Sequence, residues 1–211
     1  MSVVQGKPGE GVGATVTTTR ERLLAAAREL IEEGGYGAAS VIAIAARAGV
    51  ASGTLYRHFA SKEELFVEVF RAVCSGEERA MRAAVAEADG ELPSGSAQWL
   101  ETVLATFARR ALRNPRLAWA LIAEPVDPRV DSERRAYRAR YAAVIAEGLR
   151  AGIASGELPD QAVELTAAAL VGGCGEALVG PLAPLAPDDP PPDVIIAALR
   201  TFVRRAIGAG Q

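Results

Sequence analysis

Apolar residues recur at helical spacing along most of the chain, and glycine or proline separates the segments. The first segment begins at a predicted N-cap, Thr19, and stops at Gly34-Gly35. Its apolar face comprises Leu23, Ala27, Leu30 and Ile31. The sequence has no run with the period of a β-strand and no glycine-rich dinucleotide loop. We therefore predict an all-α fold of about nine helices.

Caps and breakers also place the helices of the long C-terminal part. Ser61 and Glu64 have the spacing of a capping box, and the fourth helix is predicted to extend from there to about Ala88. Further helices are predicted over residues 96–113, 116–123, 129–154, 160–180 and 193–208, with Pro115, Pro125 and Pro159 among the breakers. The segment 181–193 holds six of the twelve prolines and is predicted to be a stiff, non-helical connector.

Two short helices near the N-terminus have the spacing of a helix-turn-helix. One follows Ser40 and ends near Gly49, and the next starts at Ser52. Ala45 supplies a small residue where the helices meet, Gly49 a turn residue free to adopt positive φ, and Leu55 an apolar residue beneath the second helix. Since the second helix of this motif enters the major groove of DNA, the spacing indicates a DNA-binding head.

The second helix of the pair is unusually polar. Its few apolar residues, Val50, Leu55 and Phe59, are expected to face the core. The side chains predicted to point outward can hydrogen-bond to bases and phosphates: Ser52, Thr54, Tyr56, Arg57 and His58. We expect Gly53 to allow close approach of the backbone to DNA, and Lys62, in the first turn of the next helix, to meet a phosphate.

Each of these residues also has a purely structural interpretation. Ser52 is the expected N-cap of its helix, and Thr54 and Tyr56 are compatible with plain solvent exposure. Arg57 is equally compatible with solvent, a phosphate or a base. His58 can interact with the helix dipole alone. As the only histidine of the chain it also argues against a histidine-rich metal site, and no metal or cofactor is expected.

Residues 20–66 resemble the TetR family of bacterial transcriptional regulators. The resemblance rests on RERLLAAARELIEEGGYGAASVIAIAARAGV followed by ASGTLYRHFASKEELF, and GTLYRHFASKEEL is its most specific part. It implies an all-α homodimer with a three-helix DNA-binding head and a body for ligand binding and dimerisation. The family's DNA-contacting residues match Ser40, Ser52, Gly53, Thr54, Tyr56, His58 and Lys62, to which we add Arg57. Val41 and Ile42 are more apolar than the family pattern, which allows altered packing on the first helix.

We divide the chain into a flexible tail (1–16), a DNA-binding domain (17–62) and an effector-binding and dimerisation domain (63–211). The small residues of 166–180 and the apolar face of the last helix predict a four-helix interface between two subunits, with an intramolecular pair as the alternative. Aromatic residues of the middle helices predict an effector pocket, with ordinary core packing as the alternative: Trp99, Phe107, Trp119, Tyr137 and Tyr141. Four arginines near those tyrosines are interpreted as a solvated face: Arg134, Arg135, Arg138 and Arg140.

Composition limits the classes of partner. The net charge is −3, so DNA contact must be local, and residues 17–62 hold six Arg or Lys against four Glu. No stretch reaches the roughly 20 apolar residues of a membrane span, and the N-terminus lacks a signal pattern, so we expect a cytoplasmic protein without a membrane partner. Cys74 and Cys174 lie in apolar helical patterns, which favours reduced, buried thiols over a disulfide or a redox switch.

These features predict a homodimeric repressor of a palindromic operator that a small-molecule effector releases. Two recognition helices about 34–36 Å apart would read successive major grooves, and effector binding would pivot the fourth helix and change that distance. An activator or architectural DNA-binding protein without an effector is the alternative. An enzyme is disfavoured because the sequence lacks the nucleophile and metal motifs of hydrolases.

Overall fold

The computed structural model describes residues 17–84, 95–124, 127–183 and 190–209. Within these ranges the chain is all-α, as the helical spacing predicts. The helices are α1 (Thr19–Ala38), α2 (Val41–Arg47), α3 (Ser52–His58), α4 (Lys62–Ala83), α5 (Ser96–Arg113), α6 (Pro115–Ile122), α7 (Pro128–Ala154), α8 (Val163–Leu182) and α9 (Pro192–Ala206). The predicted tail, the predicted end of α4 near Ala88 and the breaker Pro125 lie outside the described residues.

The first helix begins one residue earlier than predicted. Thr18, not Thr19, is the N-cap: its Oγ1 accepts the N–H of Glu21 (3.2 Å), and the Glu21 carboxylate accepts the N–H of Thr18 (2.7 Å). Gly35 interrupts the helix as predicted, because its φ of +75° lies in the left-handed region. Helical geometry then resumes and continues to Ala38.

Two other predicted caps differ in detail. Ser52 is the first residue of α3 rather than its N-cap, since Ala51 occupies the cap position and no side chain caps the helix. At the start of α4, Ser61 Oγ accepts the N–H of Glu64 (3.2 Å), as a capping box requires. The Glu64 carboxylate, however, accepts the N–H of Ala60 instead of that of Ser61. The second hydrogen bond of the box therefore comes from the residue before the N-cap instead of from the N-cap itself.

The proline-rich segment 181–193 is not a connector along its whole length. Pro181 lies inside the last turn of α8, and Pro192 opens α9, where a missing N–H has no cost. Residues 184–189 lie outside the described residues.

We call α1–α3 the head and α4–α9 the body. In the head α1 packs on α2 and α2 on α3; in the body α7 packs on α4, α5 and α8, and α9 packs on α5. Helix α6 contacts both α1 and α8, so it lies between head and body. One cluster of buried apolar residues continues from Leu23 of α1 to Ile207 after α9. The domain boundary at residues 62 and 63 stays a prediction.

Helix α8 corrects one expectation. By length and composition it is apolar enough to cross a membrane, whereas the sequence was expected to contain no such stretch. Only 28% of its most apolar 18-residue stretch is buried in the chain. Apolar helices at subunit interfaces meet the same description.

Candidate DNA-binding surface and effector cavity

The helix-turn-helix has the packing that its spacing predicts. Ala45 and Leu55 are buried at 1% and 0% exposure, and Gly49 adopts a φ of +66° in the turn. Val41 packs partly into the core, but Ile42 is 73% exposed and so does not alter packing on α1. The motif thus fixes the orientation of α3 with respect to α2 through one small, one left-handed and one large apolar residue.

The outer face of α3 is polar and open to solvent. Ser52, Gly53, Arg57 and His58 are exposed, Tyr56 is 59% exposed, and Thr54 is half-buried. Ser40, at the start of α2, is exposed as well, and its Oγ caps that helix by accepting the N–H of Ala43 (3.1 Å). The fold therefore leaves the predicted contact residues of α3 without a partner protein surface.

Gly53 has no explanation in the packing of the chain. A Cβ built at this position meets no atom within 4 Å, and its φ is not positive. Alanine is more favourable than glycine inside a helix by roughly 0.5–1 kcal/mol. Space and stability would both allow a side chain here, as they would at Gly76 of α4.

Ion pairs distinguish the cations of the head. Arg20 pairs with Glu68, Arg28 with Glu32, and Arg47 with Glu29 and Glu33. The hydrogen bond from Arg47 lowers the pKa of the Glu33 carboxyl. Arg22 and Arg57 have no carboxylate within 4.0 Å among the described residues, and Arg57 lies on α3. Arg22, near the start of α1, is a cation that the sequence argument did not single out.

Lys62 is held inside the head rather than extended into solvent. Its Nζ lies 3.9 Å from the centroid of the Tyr36 ring and donates to the Tyr36 carbonyl oxygen (3.4 Å). Burial lowers the pKa of Lys62 and raises that of Tyr36. The side chain therefore links the start of α4 to the end of α1, and its phosphate contact stays a prediction.

A cavity of about 250 Å³ lies between α4, α5, α6, α7 and α8, and Arg28 of α1 also lines it. Of the five aromatic residues predicted to form a pocket, Phe107, Tyr137 and Tyr141 line it. Trp99 and Trp119 do not: Trp99 packs against Gly148, where an added Cβ would come within 2.6 Å of its ring, and Trp119 is partly buried against the core. The sequence analysis missed Phe70 of α4, which also lines the cavity and whose ring centroid lies 5.8 Å from that of Tyr137.

The tyrosine hydroxyls of the cavity are used within the chain. Tyr137 donates to the carbonyl of Arg71 (3.1 Å) and shares a hydrogen bond with Ser75 (2.8 Å). Tyr141 donates to the carbonyl of Cys74 (3.1 Å), and burial raises its pKa. Both rings therefore present their apolar faces to the cavity and tie α7 to α4.

The four arginines near the tyrosines of α7 do not form one solvated face. Arg134 is only 11% exposed and donates to the carbonyls of Ala120 (2.9 Å) and Leu121 (2.7 Å). These bonds satisfy carbonyl groups in the last turn of α6. Arg138 is exposed and lines the cavity together with Arg134, whereas Arg135 is exposed and does not border it. Arg140 lies 4.9 Å above the Tyr137 ring. Successive residues of a helix point about 100° apart, which distributes these side chains over different surroundings.

Both cysteines are buried and free, as expected. Burial raises the pKa of Cys74 to about 12 and that of Cys174 to about 11. A thiol with such a pKa is almost wholly protonated at neutral pH, which makes it a poor nucleophile. Within the described part of the chain, no group of three or more His, Cys, Asp or Glu is placed to hold a metal ion.

Helix α6 connects the cavity with the head. Leu117 and Leu121 line the cavity from one side of α6. At its two ends, Arg116 donates to the carbonyl of Glu33, and the carboxylate of Glu124, just beyond the helix, accepts the N–H of Tyr36 (3.2 Å). The end of α1 next to the Gly35 kink is thus hydrogen-bonded to an element of the cavity wall.

The outer faces of α8 and α9 are apolar and exposed. Leu165 is 71% exposed, Val194 54% and Phe202 43%. Small residues fill the exposed face of α8 between its ends, interrupted by Glu176: Ala168, Ala169, Gly172, Ala177 and Gly180. The predicted apolar stripe of α9 divides in two, since Leu199 and Val203 are buried in the body while Ala198 is exposed with Val194 and Phe202.

Comparison with known proteins agrees with this geometry. Residues 23–69, which contain the helix-turn-helix, match the family model described as bacterial regulatory proteins of the tetR family. The head of this chain is therefore similar to bacterial regulatory proteins of the tetR family.

Among curated proteins, the HTH-type transcriptional regulator UidR of Escherichia coli K12 is 43% identical over 63 residues, covering 30% of this chain and 31% of UidR. The HTH-type transcriptional repressor KstR of Mycobacterium tuberculosis is 38% identical over 103 residues, covering 48% of this chain and 44% of KstR. The chain therefore spans less than half the length of these relatives. Both are regulators of transcription rather than enzymes.

The TetR fold extends over the body. The solved structure of the transcriptional regulator FadR from Bacillus subtilis in complex with stearoyl-CoA superposes with a TM-score of 0.70. The match covers 88% of this chain and 96% of that one at 22% identity. At this level of identity the likeness concerns the fold alone.

Proposed function

We propose that this chain is a homodimeric, cytoplasmic repressor of the TetR family that binds a palindromic operator and leaves it when a small molecule occupies the body. The observation that most supports the proposal is the outer face of α3, which is exposed, rich in hydrogen-bonding groups and made closely approachable by Gly53. A surface of this kind suits the floor of a major groove, where base edges replace water as hydrogen-bond partners.

The proposed DNA contacts divide by chemistry. Ser52, Gly53 and Thr54 lie in the first turn of α3 and are assigned to base edges and the nearby backbone. Tyr56, Arg57 and His58 lie in the last turns and, with Ser40 and Lys62, are assigned to phosphates, which fix register. Arg57 is the strongest candidate among the cations, because it lies on α3 and no carboxylate of the described residues neutralises it.

The outer faces of α8 and α9 support the dimer. Exposed Leu165, Val194 and Phe202 lose contact with water if a second copy packs its own α8 and α9 on them, which is a two-fold, self-complementary contact. Each fully buried large apolar side chain stabilises such a contact by roughly 1.5–3 kcal/mol before the cost of association. The small residues of α8 permit close approach of the two backbones.

The contacts of α6 suggest how an effector would reach the head. A molecule between Leu121 and Tyr141 would press on α6, and the bonds of Arg116 and Glu124 would transfer a shift of α6 to the end of α1. This path accompanies the pivot of α4, whose Phe70 also lines the cavity. A change from 1:99 to 99:1 in DNA occupancy requires the effector to favour one state by roughly 5.5 kcal/mol.

The proposal is tested by Gly53→Ala, with Gly76→Ala as the matched control. Both glycines lie in helices with space for a Cβ, so each substitution is expected to stabilise the fold by about 0.5–1 kcal/mol. Only Gly53→Ala should reduce affinity, by about 10-fold or more, for operator fragments retained from genomic DNA, because the methyl group blocks the groove. Fluorescence anisotropy gives the affinity and thermal unfolding gives the stability.

Equal affinities for the two variants would contradict the assignment of α3 to the groove. The alternative, a regulator or architectural protein without an effector, predicts that DNA stabilises the chain against heat while no screened compound does so.

A further inference from the structure

The interior of the cavity offers a ligand few side-chain hydrogen bonds. Its aromatic hydroxyls are used within the chain, since Tyr137 donates to Arg71 and Tyr141 to Cys74. Among the described residues no buried side-chain nitrogen or oxygen lacks a hydrogen-bond partner. A polar ligand group placed against the two tyrosine rings would lose bonds to water and find few replacements there, so the part of a ligand that lies against them is expected to be apolar.

The charged residues around the cavity are nearly all of one sign. Five arginines and one carboxylate, Glu77, line it. Three of these arginines are engaged: Arg110 pairs with Glu77 (2.6 Å), Arg28 with Glu32 (2.8 Å), and Arg134 with Asp131 (2.8 Å) and the carbonyls at the end of α6. The other two, Arg113 and Arg138, have no carboxylate within 4.0 Å in the described ranges.

Arg138 is the better placed of the two. It lies on α7 one turn after Arg134 and three residues before Tyr141, so the three side chains share the face that borders the cavity. Arg113, at the end of α5, also borders a neighbouring groove that contains Glu29, Glu32 and Glu33. Those carboxylates reduce the potential at Arg113 but lie on α1, away from the tyrosine face of α7.

We infer that the cavity binds a small organic carboxylate, with its apolar body against Phe107 and Tyr141 and its carboxylate at Arg138. The inference rests on the proposed function and names the chemical class of its effector. A cavity of about 250 Å³ is near the lower end of ligand pockets, which span about 300–1,000 Å³. The apolar body is accordingly that of a medium-chain or single-ring acid rather than a long acyl chain.

Calorimetric titration with three probes of equal chain length tests the charge requirement: sodium octanoate, octan-1-ol and octylammonium chloride. The parent chain should bind octanoate at least about 10-fold more tightly than octan-1-ol, because a hydrogen bond between two ionised groups is stronger than one to a neutral hydroxyl. Octylammonium should bind more weakly than either. Raising the salt concentration should weaken octanoate binding and leave octan-1-ol unaffected.

Arg138→Gln, compared with Arg135→Gln, tests the residue. Both arginines are exposed residues of α7, but only Arg138 borders the cavity. Arg138→Gln should lower octanoate affinity about 5- to 10-fold and leave octan-1-ol affinity unchanged, whereas Arg135→Gln should change neither. Circular dichroism verifies that both variants are folded.

Octan-1-ol binding as tight as octanoate, no octanoate binding by the parent, or equal losses in the two variants would each overturn the inference. A measurement of DNA release by the same probes distinguishes failure of this inference from failure of the proposed function. If octanoate binds through Arg138 but the affinity for operator DNA is unchanged, the inference holds and the effector part of the proposed function fails. If octan-1-ol releases DNA as effectively as octanoate, the effector part holds and the inference fails.

Discussion

The two surfaces that the fold leaves open, on α3 and on α8 with α9, differ in chemistry. The outer face of α3 has hydroxyl groups, a guanidinium and an imidazole, and its large exposed side chain is Tyr56. The outer faces of α8 and α9 have Leu165 and Phe202 among alanine and glycine. Exposed hydrogen-bonding groups suit a hydrated polyanion, whereas an exposed apolar face suits a second protein surface that excludes water. The difference separates the proposed DNA contact from the proposed dimer contact.

The largest effect is expected from charges placed on the apolar face. Leu165→Lys combined with Phe202→Lys should weaken dimerisation by about 3 kcal/mol or more, roughly 100-fold, because unpaired cations would be buried between subunits. Light scattering after gel filtration should show a monomer at micromolar concentration, and affinity for a palindromic operator should fall with it. Ala139→Lys, on an exposed position of α7, is the control and should leave both unchanged. A double variant that remains dimeric would contradict the assignment.

A smaller effect is expected when the free cation of α3 is removed. Arg57→Gln should weaken DNA binding about 10-fold and reduce the slope of log affinity against log salt by about 0.9, because one phosphate contact is lost. Arg47→Gln is the matched control, since Glu29 and Glu33 already neutralise that arginine. Binding isotherms at several salt concentrations give both slopes. An unchanged slope for Arg57→Gln would contradict the assignment of this side chain to a phosphate.

Substitution of Glu124 tests the link between the cavity wall at α6 and the end of α1 in the head. Glu124→Gln keeps the length of the side chain but weakens the charge-assisted bond from the Tyr36 N–H, and about 1 kcal/mol of local stability should be lost at the end of α1. Hydrogen exchange should show faster opening of the Tyr36 amide, while α5 and α7 remain protected. Equal acceleration throughout the chain would indicate a global effect and no specific joint.

The smallest effect is expected at Lys62. Lys62→Met retains the apolar stem but loses the cation over the Tyr36 ring, so the free energy of unfolding should fall by about 0.5–1 kcal/mol. If the ammonium also meets a phosphate, Lys62→Met weakens DNA binding by more than this loss of stability explains, and Lys62→Arg restores part of it. Thermal unfolding and anisotropy measured on the same variants separate the two roles.

Agreement with the sequence was best where interactions are local. The positive φ of Gly49, the burial of Leu55 beneath α3 and the caps at Ser40 and Ser61 involve residues close together in the chain. Two predicted N-caps were wrong by one residue. The cap of α1 is Thr18 instead of the neighbouring Thr19, and the cap of α3 is Ala51 instead of Ser52 because no side chain caps that helix. The cavity was predicted less well, since Trp99 packs against Gly148 instead of lining it.

The sequence by itself determined the helices, the helix-turn-helix and the polar face of α3, because helical period, caps and turn glycines depend on contacts within a few residues. Only the tertiary structure decided which cations are neutralised and which aromatic residues border the cavity. Arg47 and Arg138 are both arginines on helices, yet Arg47 donates hydrogen bonds to Glu33 of α1, whereas Arg138 borders the cavity. That distinction depends on how distant helices pack against one another, and the spacing of residues along one helix does not contain it.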